Sequence, residues 1–331
     1  MRKILVATLG ETPQVVTEAI DALKAVKGIE IEEVVTVSTK GCKKVDMAQE
    51  LLREDINRTY GNKIVYYNWP TDFEDVDDQW ANIGFMKIVC SVLLHYKGSE
   101  RYVSIAGGRK TMSALMTLAV QMYGANGLYH VLVDENDISA KADIDYLTGD
   151  LDEETKKRIF HPPTEKLKLI ELPFISLFPY ISEFLKVLKG EKSEDLKVEK
   201  ILLETGLVKK DKDKLIATPL GNQVKQIIED IQLLPLPSPL RPDEKKIHLS
   251  EHHGKKYLES IAKKLALCPW VTEILSDEFH KHQRGKTILQ EDGSIMLVTQ
   301  SSDAGYTLIL RTTASNRAQA ERLVKEVEKY L

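Results

Sequence analysis

Runs of apolar residues alternate with amphipathic stretches over the first 134 residues of the chain. Five apolar runs rich in Val, Ile, Leu and Tyr predict β-strands at 3–8, 33–39, 63–69, 101–106 and 128–134. The segments between them repeat apolar positions with a helical period and predict helices at 13–26, 43–57, 79–96 and 110–123. Nearly continuous apolar strands separated by helices are typical of a parallel sheet covered on both faces. Because crossovers between parallel strands are right-handed, the pattern predicts a Rossmann-like, doubly wound α/β domain.

The middle of the chain changes to a mainly helical pattern. Residues 166–172 predict a further strand, and the mostly apolar segment 174–188 predicts a helix suited to burial between protomers. From about Ser193 onward, a short helix, a turn at Gly206, a charged hairpin and the amphipathic helix 219–231 follow one another. This order is typical of a winged helix-turn-helix.

The last part of the chain predicts a separate, small α+β unit. Four prolines within 233–242 predict an extended linker and a domain boundary. Beyond it we expect strands at 246–249, 286–290, 294–300 and 306–312, helical material from about 254 to 278, and a helix at 316–330. The tripeptide EDG at 291–293 predicts a hairpin turn. We therefore divide the chain at 1–172, 173–232, 233–244 and 245–331.

Composition narrows the class of protein. The hydrophobic fraction of 43% and the charged fraction of 29% are those of an ordinary soluble globular chain. The net charge is −4, but residues 245–331 hold 10 Lys and 4 Arg against 11 carboxylates, together with five of the eight His. This excess indicates an anionic partner, with ordinary solvated charge as an equal alternative.

The three cysteines bear on the compartment. Cys42, Cys90 and Cys268 are far apart and lack metal-ligand spacing, so a reduced, cytoplasmic protein is expected. The apolar run at 3–8 ends too soon for a signal peptide or a membrane span.

Two loops follow predicted strands of the α/β domain and carry candidate chemistry. The first, TLGETPQ (8–14), has Gly10 for a tight turn and Thr12 to cap the next helix. The second, SIAGGRKT (104–111), has two glycines that let the backbone approach a ligand, followed by Arg109 and Lys110. Since the N–H groups at a helix start favour an anion, both loops indicate an anion site.

The familiar nucleotide motifs do not fit these loops. The chain has neither GxGxxG nor GxxxxGK[ST], because Lys110 follows the glycine pair after one residue. After the second strand stand Lys40, Lys43 and Lys44 instead of the acid that would hold a dinucleotide ribose. The residues therefore favour a polyanion over NAD. The simpler alternatives are a glycine-rich turn with solvated charges and, for Lys43 and Lys44, an exposed helix surface.

The two loops together resemble a known family. ILVATLGETPQVVTEAI, followed about ninety residues later by YVSIAGGRKTMSALMTLAVQMYG, is similar to the CRISPR-associated Rossmann fold (CARF) sensor domain over residues 1–135. The nearest branch is the ring-nuclease-like one, whose first loop reads G-x-[ST]-P-Q. This resemblance implies a homodimer that binds a cyclic oligoadenylate across its two-fold axis, with cyclic tetra-adenylate as the expected ring. The pocket residues that it implies are Gly10, Glu11, Thr12, Gln14, Ser104, Gly107, Gly108, Arg109, Lys110 and Thr111. Glu11, unusual beside phosphates, either contacts a ribose or adenine edge or points outward.

The C-terminal unit resembles a RelE-type mRNA interferase, which extends the resemblance to the whole chain. A CARF domain, a winged helix and a RelE-like domain form the layout of the CRISPR-associated mRNA interferases, which are ribosome-dependent and switched on by cyclic tetra-adenylate. The closing helix 316–330 departs from the minimal RelE pattern.

RNA carries its own nucleophile, the 2′-hydroxyl, so cleavage requires a general base, a general acid and cations, and no metal or other cofactor. The candidates are Lys281, His282, Arg284, Lys286, Tyr306 and Arg311, accompanied by His252, His253, Lys255, Lys256, His280 and Arg317. Among them a Lys or His is the expected base, Arg311 the phosphate clamp, and Tyr306 a base-stacking or proton-donating group. For each, a solvated surface residue is the simpler alternative, and the His pairs are a weaker candidate for metal binding.

Two other functions remain open at this stage. A CARF protein with a winged helix could be a transcription regulator, but helix 219–231 has Lys225 as its only base, against Glu229 and Asp230. A ring nuclease would degrade the messenger at the first pocket with Thr12, Glu11 or Lys110. We expect the main function to be a ring-activated endoribonuclease that cuts mRNA on the ribosome.

Overall fold

The structure is a computed structural model that describes residues 1–212, 214–238, 240, 242–250, 254–277, 286–301 and 304–331. The chain forms two compact units, Met1–Ile231 and Gln232–Leu331. The boundary between them falls at the start of the proline-rich segment. The finer division into a sensor, a winged helix and a nuclease stays a prediction.

A six-stranded sheet forms the centre of the first unit. Its strands are β1 (Lys3–Leu9), β2 (Glu33–Ser38), β3 (Val65–Pro70), β4 (Glu100–Ser104), β5 (Gly127–Val133) and β6 (Leu167–Glu171). They lie in the order β3-β2-β1-β4-β5-β6, with β1 to β5 parallel and β6 antiparallel to β5. This confirms the predicted Rossmann-like α/β fold for this part of the chain.

Four helices connect the parallel strands: α1 (Gln14–Lys27), α2 (Lys43–Tyr60), α3 (Gln79–His95) and α4 (Lys110–Tyr123). In α1, Val16, Ala19, Ile20 and Leu23 recur at helical spacing and are buried in the core, which fixes the face that the helix presents to the sheet. Gly28 ends α1 with φ 67°, a conformation that glycine adopts without steric cost, and its N–H donates to Lys24 O at 3.1 Å.

The connection from β5 to β6 contains three short helices that the sequence pattern did not predict. They are α5 (Ile138–Lys141), α6 (Ile144–Leu147) and α7 (Glu153–Phe160). Asp137, Asp143 and Asp152 each cap one of them by accepting a hydrogen bond from a backbone N–H two or three residues later. We call residues 134–166 the β5–β6 excursion.

The rest of the first unit comprises α8 (Ile181–Leu188), α9 (Leu196–Glu204), β7 (Val208–Asp211), β8 (Lys214–Ala217) and α10 (Pro219–Gln232). The predicted helix at 174–188 is wrong in its first half, since α8 begins only at Ile181 after a 3₁₀ turn at Phe178–Tyr180. Pro179 restricts the backbone there, and Leu177 N–H donates to Gln121 O of α4 instead of starting a helix. The order of these elements is the one predicted for a winged helix, and that assignment stays a prediction.

The second unit contains a five-stranded sheet in the order β11-β12-β13-β10-β9. Its strands are β9 (Lys246–His248), β10 (Val271–Asp277), β11 (Lys286–Leu289), β12 (Ile295–Ser301) and β13 (Ala304–Thr312), and its helices are α11 (Lys255–Ala266) and α12 (Arg317–Glu328). The predicted helical stretch 254–278 is wrong beyond Ala266. Pro269 follows the end of α11, and the β-branched and apolar residues of β10 pair with β13.

The predicted hairpin turn at 291–293 is confirmed. Gln290 N–H donates to Ser294 O at 2.9 Å, and Gly293 has φ 84°. Within the described residues, no helix is both long and apolar enough to cross a membrane.

Candidate functional site

The strand order of the parallel sheet marks one position where a ligand can bind. From β1 the chain winds outward to β2 and β3, and then returns to β4 on the other side of β1. The loops that leave β1 and β4 therefore run in opposite directions and open a crevice at the carboxyl ends of the strands. These are the two loops with the glycine motifs.

The two loops contact each other through their backbones. A Cβ atom on Gly10 would lie 2.7 Å from the Cα of Gly108, and one on Gly107 would overlap the carbonyl oxygen of Thr8. Thr8 Oγ1 donates to Gly107 O at 2.5 Å. Gly108 has φ 73°, in the left-handed region that side chains rarely adopt. The glycines are thus required by close packing between the loops.

Both loops lead into helices whose first N–H groups have no side-chain cap. The N-cap position of α1 is Pro13, and no side chain caps that helix, so the expectation that Thr12 caps it is wrong. The N-cap position of α4 is Arg109, whose guanidinium has no acceptor atom. At the start of α1, Val15 N–H and Val16 N–H already donate to Thr12 O and Pro13 O, at 3.4 and 3.1 Å. The open N–H groups therefore lie mainly at the start of α4, which is a favourable environment for an anion.

The predicted pocket residues fall into three groups by exposure. Glu11, Gly108, Arg109, Lys110 and Thr111 are exposed, Gly10 and Thr12 are half-buried, and Gln14, Ser104 and Gly107 are buried. The exposed group lies at the mouth of the crevice, where a ligand can reach it.

Gln14 joins the start of α1 to the β5–β6 excursion at the back of the crevice. Its Nε2 donates to Ser139 O at 3.1 Å and to Ala142 O at 2.7 Å, both in the β5–β6 excursion. Its Oε1 is buried and accepts no hydrogen bond from the described residues. Gln14 therefore fixes the start of α1 against the excursion.

The charged side chains around the crevice are of both signs. Lys44 Nζ lies 2.5 Å from Asp145 and 3.9 Å from Glu11, and Asp145 raises the pKa of Lys44. Arg109 pairs with Asp75, a residue of the loop after β3. Lys110 is exposed and forms no ion pair within the part of the chain that the structure describes. Lys110 is consequently a cation that is available to a ligand without breaking an ion pair among the described residues.

A buried polar cluster behind α1 was not predicted from the sequence. His161 contacts Asp21 through Nδ1 and Asp55 through Nε2, both at 2.8 Å. Burial lowers the pKa of His161, but its hydrogen bonds and charge interactions with these carboxylates outweigh burial and raise it to about 9. The nearby Glu18 accepts from Ser139 Oγ at 2.8 Å, and burial raises its pKa to about 7, helped by the charges of Asp137 and Asp21.

In the second unit, a pocket of about 470 Å³ lies between the hairpin turn after β11 and the start of α12. Arg311, Arg317, Asn316 and Asp292 are among its lining residues. Arg311 Nη1 lies 3.3 Å from Glu273, and Arg317 Nε lies 3.0 Å from Glu321. Arg311 and Arg317 thus have different carboxylate partners, Glu273 and Glu321.

Tyr306 and Lys286, two other predicted nuclease residues in the described part of the chain, do not line this pocket. Tyr306 packs against Gly254 and lies 5.7 Å from the ring of Tyr257, on the opposite face of β13 from Arg311. Lys286 is exposed at the start of β11, in register with Val298 and Thr307, which places it about 13 Å along the strand direction from Arg311.

Lys255 and Lys256 start α11. His252, His253, His280, Lys281, His282 and Arg284 lie outside the described residues. Within the described ranges, no cluster of three or more His, Cys, Asp or Glu could hold a metal ion.

Comparison with known proteins places the chain in a family. Residues 12–207 match the sequence model of the family described as CRISPR-associated protein NE0113 (Cas_NE0113). No curated protein matches the chain. Among solved structures it is similar to Enterococcus italicus Csm6 bound to cyclic hexa-2′-fluoro-hexa-dAMP, with 13% identity and a TM-score of 0.38. That similarity covers 80% of this chain and 61% of the Csm6 chain, so the chain spans about three fifths of that protein's length. Since the family match extends over more than half of the chain, the chain belongs to the CRISPR-associated NE0113 family.

Proposed function

We propose that this CRISPR-associated protein is a CARF sensor that binds a cyclic oligoadenylate, with cyclic tetra-adenylate as the first ring to test. The pair of glycine loops in backbone contact carries this proposal. The loops join two uncapped helix starts at one crevice and leave Lys110 unpaired beside them. A phosphate diester can accept hydrogen bonds from the N–H groups at the start of α4 and can interact with the charge of Lys110.

The proposed symmetry of the protein would suit a ring-shaped ligand. A single crevice offers one set of loops, which suits one or two phosphates. A two-fold homodimer would bring two sets together and match a ring with repeated phosphates. The homodimer is part of the proposal, and sedimentation of the purified protein with and without the ring measures it.

We further propose that the second unit is the effector, an endoribonuclease that acts on mRNA at the ribosome. In the proposed step, the 2′-hydroxyl oxygen attacks the adjacent phosphorus while a base removes its proton. The bond from phosphorus to the 5′-oxygen breaks, and an acid donates a proton to that oxygen. The products are a 2′,3′-cyclic phosphate and a 5′-hydroxyl.

The Arg311–Arg317 pocket supports a phosphate-binding role in this step. Its two guanidinium groups are largely exposed, and each has only one carboxylate partner in the described part of the chain. A guanidinium has five N–H donors, so each retains donors for a phosphate oxygen. The negative charge that develops on the phosphorane is the charge that such donors stabilise.

Helix α10 provides little support for the alternative of a transcription regulator. Ile227, Ile228 and Ile231 are buried, Asp230 pairs with Lys87 of α3, and Glu229 pairs with Lys189 at 3.4 Å. A recognition helix needs an exposed face with basic residues for the major groove. We infer that α10 is a structural helix that leads into the second unit.

One experiment separates the proposed functions. The purified full chain is incubated with cyclic tetra-adenylate, ribosomes and mRNA, and RNA and ring are both analysed. Cut mRNA that depends on the ring supports the effector. A consumed ring with intact mRNA supports a ring nuclease, and no binding of the ring by calorimetry contradicts the sensor.

A further inference from the structure

An acidic loop stands beside the proposed anion site. Between β3 and α3, residues 71–78 read TDFEDVDD and contain five carboxylates. Carboxylates near a phosphate site lower its affinity, because they carry the same negative charge as the phosphates and repel them. The loop therefore calls for a physical explanation.

The loop is held in place by defined contacts. Thr71 N–H donates to Ser38 O at 2.9 Å, and Lys40 N–H donates to Phe73 O at 2.9 Å. Val76 is buried, and the ring of Phe73 meets that of Trp80 edge to face at 5.5 Å. The loop is thus fixed to the end of β2 and to the start of α3, and its carboxylates have set positions.

Asp75 is oriented toward the glycine loop. Its Oδ1 accepts a hydrogen bond from Val76 N–H at 2.7 Å, and its Oδ2 contacts Nη2 of Arg109. In the sheet, β3 and β4 are separated by β2 and β1, so this ion pair spans the carboxyl ends of both intervening strands. It therefore lies across the crevice in which the proposed ligand would bind.

The pair is asymmetric in exposure. The Arg109 side chain is 68% exposed and that of Asp75 is 29% exposed. Arg109 is also the residue that immediately precedes α4, next to the open N–H groups. A phosphate at that helix start and the carboxylate of Asp75 would compete for the same guanidinium.

We propose that Asp75 is an affinity-determining residue of the ligand site, because it holds Arg109 in an ion pair that a bound phosphate must displace. This inference rests on the proposed function, since it concerns the same site. A phosphate that contacts Arg109 must first displace the carboxylate of Asp75, so Asp75 lowers the affinity of the site for anions in general.

The test compares two isosteric variants in the same loop. Asp75→Asn keeps an acceptor for Val76 N–H and removes the charge that faces Arg109. Asp77→Asn removes the same charge from an exposed side chain that forms no ion pair in the described ranges. Binding of cyclic tetra-adenylate and of inorganic tripolyphosphate is measured by calorimetry at two salt concentrations, with unfolding curves for both variants.

We expect Asp75→Asn to bind the ring about three- to tenfold more tightly than the unmodified protein. The substitution releases Arg109 from an exposed ion pair and removes a negative charge that repels the phosphates. Asp77→Asn should change the affinity less than twofold, as expected for a screened surface charge. In an Arg109→Ala background, the effect of Asp75→Asn should fall to that of Asp77→Asn, because the competition requires Arg109.

The outcomes distinguish this inference from the proposed function. If the ring binds and Asp75→Asn leaves its affinity unchanged or weakens it, the competition is wrong and the sensor proposal stands. If tripolyphosphate binds more tightly to Asp75→Asn while the ring binds to neither protein, Asp75 controls an anion site and the ring proposal is wrong. If neither probe binds to any variant, both are wrong.

Discussion

The two candidate sites of this protein are built in different ways. In the first unit, the crevice is shaped by the backbones of Gly10, Gly107 and Gly108 and by two helix starts. In the second unit, the pocket obtains its charge from the side chains of Arg311 and Arg317. A site made of backbone is sensitive to added atoms, whereas a site made of side chains is sensitive to lost charge. An added methyl group should therefore do most harm at the first site, and a lost charge should do most harm at the second.

The largest effect is expected at Arg311. Arg311→Ala should reduce ring-dependent mRNA cleavage by about 10²- to 10³-fold, the typical effect of removing one preorganised transition-state donor. Ring affinity should be unchanged, since Arg311 lies in the other unit.

Lys325→Ala is the matched control for Arg311→Ala, because Lys325 is an exposed cation of α12 that is not among the residues lining the pocket. If Arg311→Ala and Lys325→Ala cut mRNA at the same rate as the unmodified protein, the pocket is not the nuclease site.

The glycine contact is the next largest determinant. Gly107→Ala places a Cβ against the Thr8 carbonyl oxygen and should lower the free energy of unfolding by about 1–3 kcal/mol and abolish ring binding. Gly98→Ala is the control, because its Cβ would meet no atom within 4 Å. Denaturant unfolding and calorimetry measure both effects, and an unaltered ring affinity in Gly107→Ala would show that the loop contact is not needed for the site.

The loss of Lys110 should have a smaller effect than disruption of the loops. Lys110→Ala removes one charged donor and should weaken ring binding by about 10- to 100-fold, the range for a hydrogen bond to a charged group. Because Lys110 is exposed and forms no ion pair in the described residues, the unfolding curve should not change. Lys210→Ala, an exposed lysine of β7, serves as the control. Equal ring affinities of the two variants would remove Lys110 from the site.

The smallest effect concerns pH and the buried polar cluster behind the crevice. The pKa of His161 is raised from 6.5 to about 9, so its contribution to stability is complete below pH 6.5 and is lost as pH rises through 9. The pKa of Glu18 is raised from 4.5 to about 7, so its contribution is likewise lost as pH rises, between about 4.5 and 7.

Unfolding free energies measured from pH 5 to pH 9.5 should therefore decline. The decline above pH 7 should be absent in His161→Gln, and the decline below pH 7 should flatten in Glu18→Gln. A His161→Gln protein that keeps the full decline above pH 7 would show that another group causes it.

The same contrast explains what the sequence could reveal. The parallel strands were predictable because they are continuous apolar runs, and the crevice was predictable because only glycine permits the contacts between its loops. Asp75 could not be identified, since its partner Arg109 lies 34 positions further along the chain. The two residues follow β3 and β4, which are separated in the sheet by β2 and β1. Side-chain pairing across a fold leaves no local pattern in the sequence.

The errors in the helices have local physical causes. The three short helices of the β5–β6 excursion are too brief for a helical period, although an aspartate caps each of them. The helix predicted from residue 174 is delayed by Pro179, and the one predicted to residue 278 gives way to a strand that has a partner in β13. In the second case tertiary pairing overrides local preference.

For the nuclease residues, the cluster between 280 and 284 stays a prediction.

The backbone contact between Gly10 and Gly108 also has a consequence for protein engineering. Two loops that are 98 positions apart share one surface so closely that neither can be exchanged for the loop of a relative by itself. A graft intended to change ring preference must transfer residues 8–14 and 104–111 together, as one cassette. In a chimera that carries a single foreign loop, the two loops should no longer pack against each other, so that a change in ring preference could not be measured.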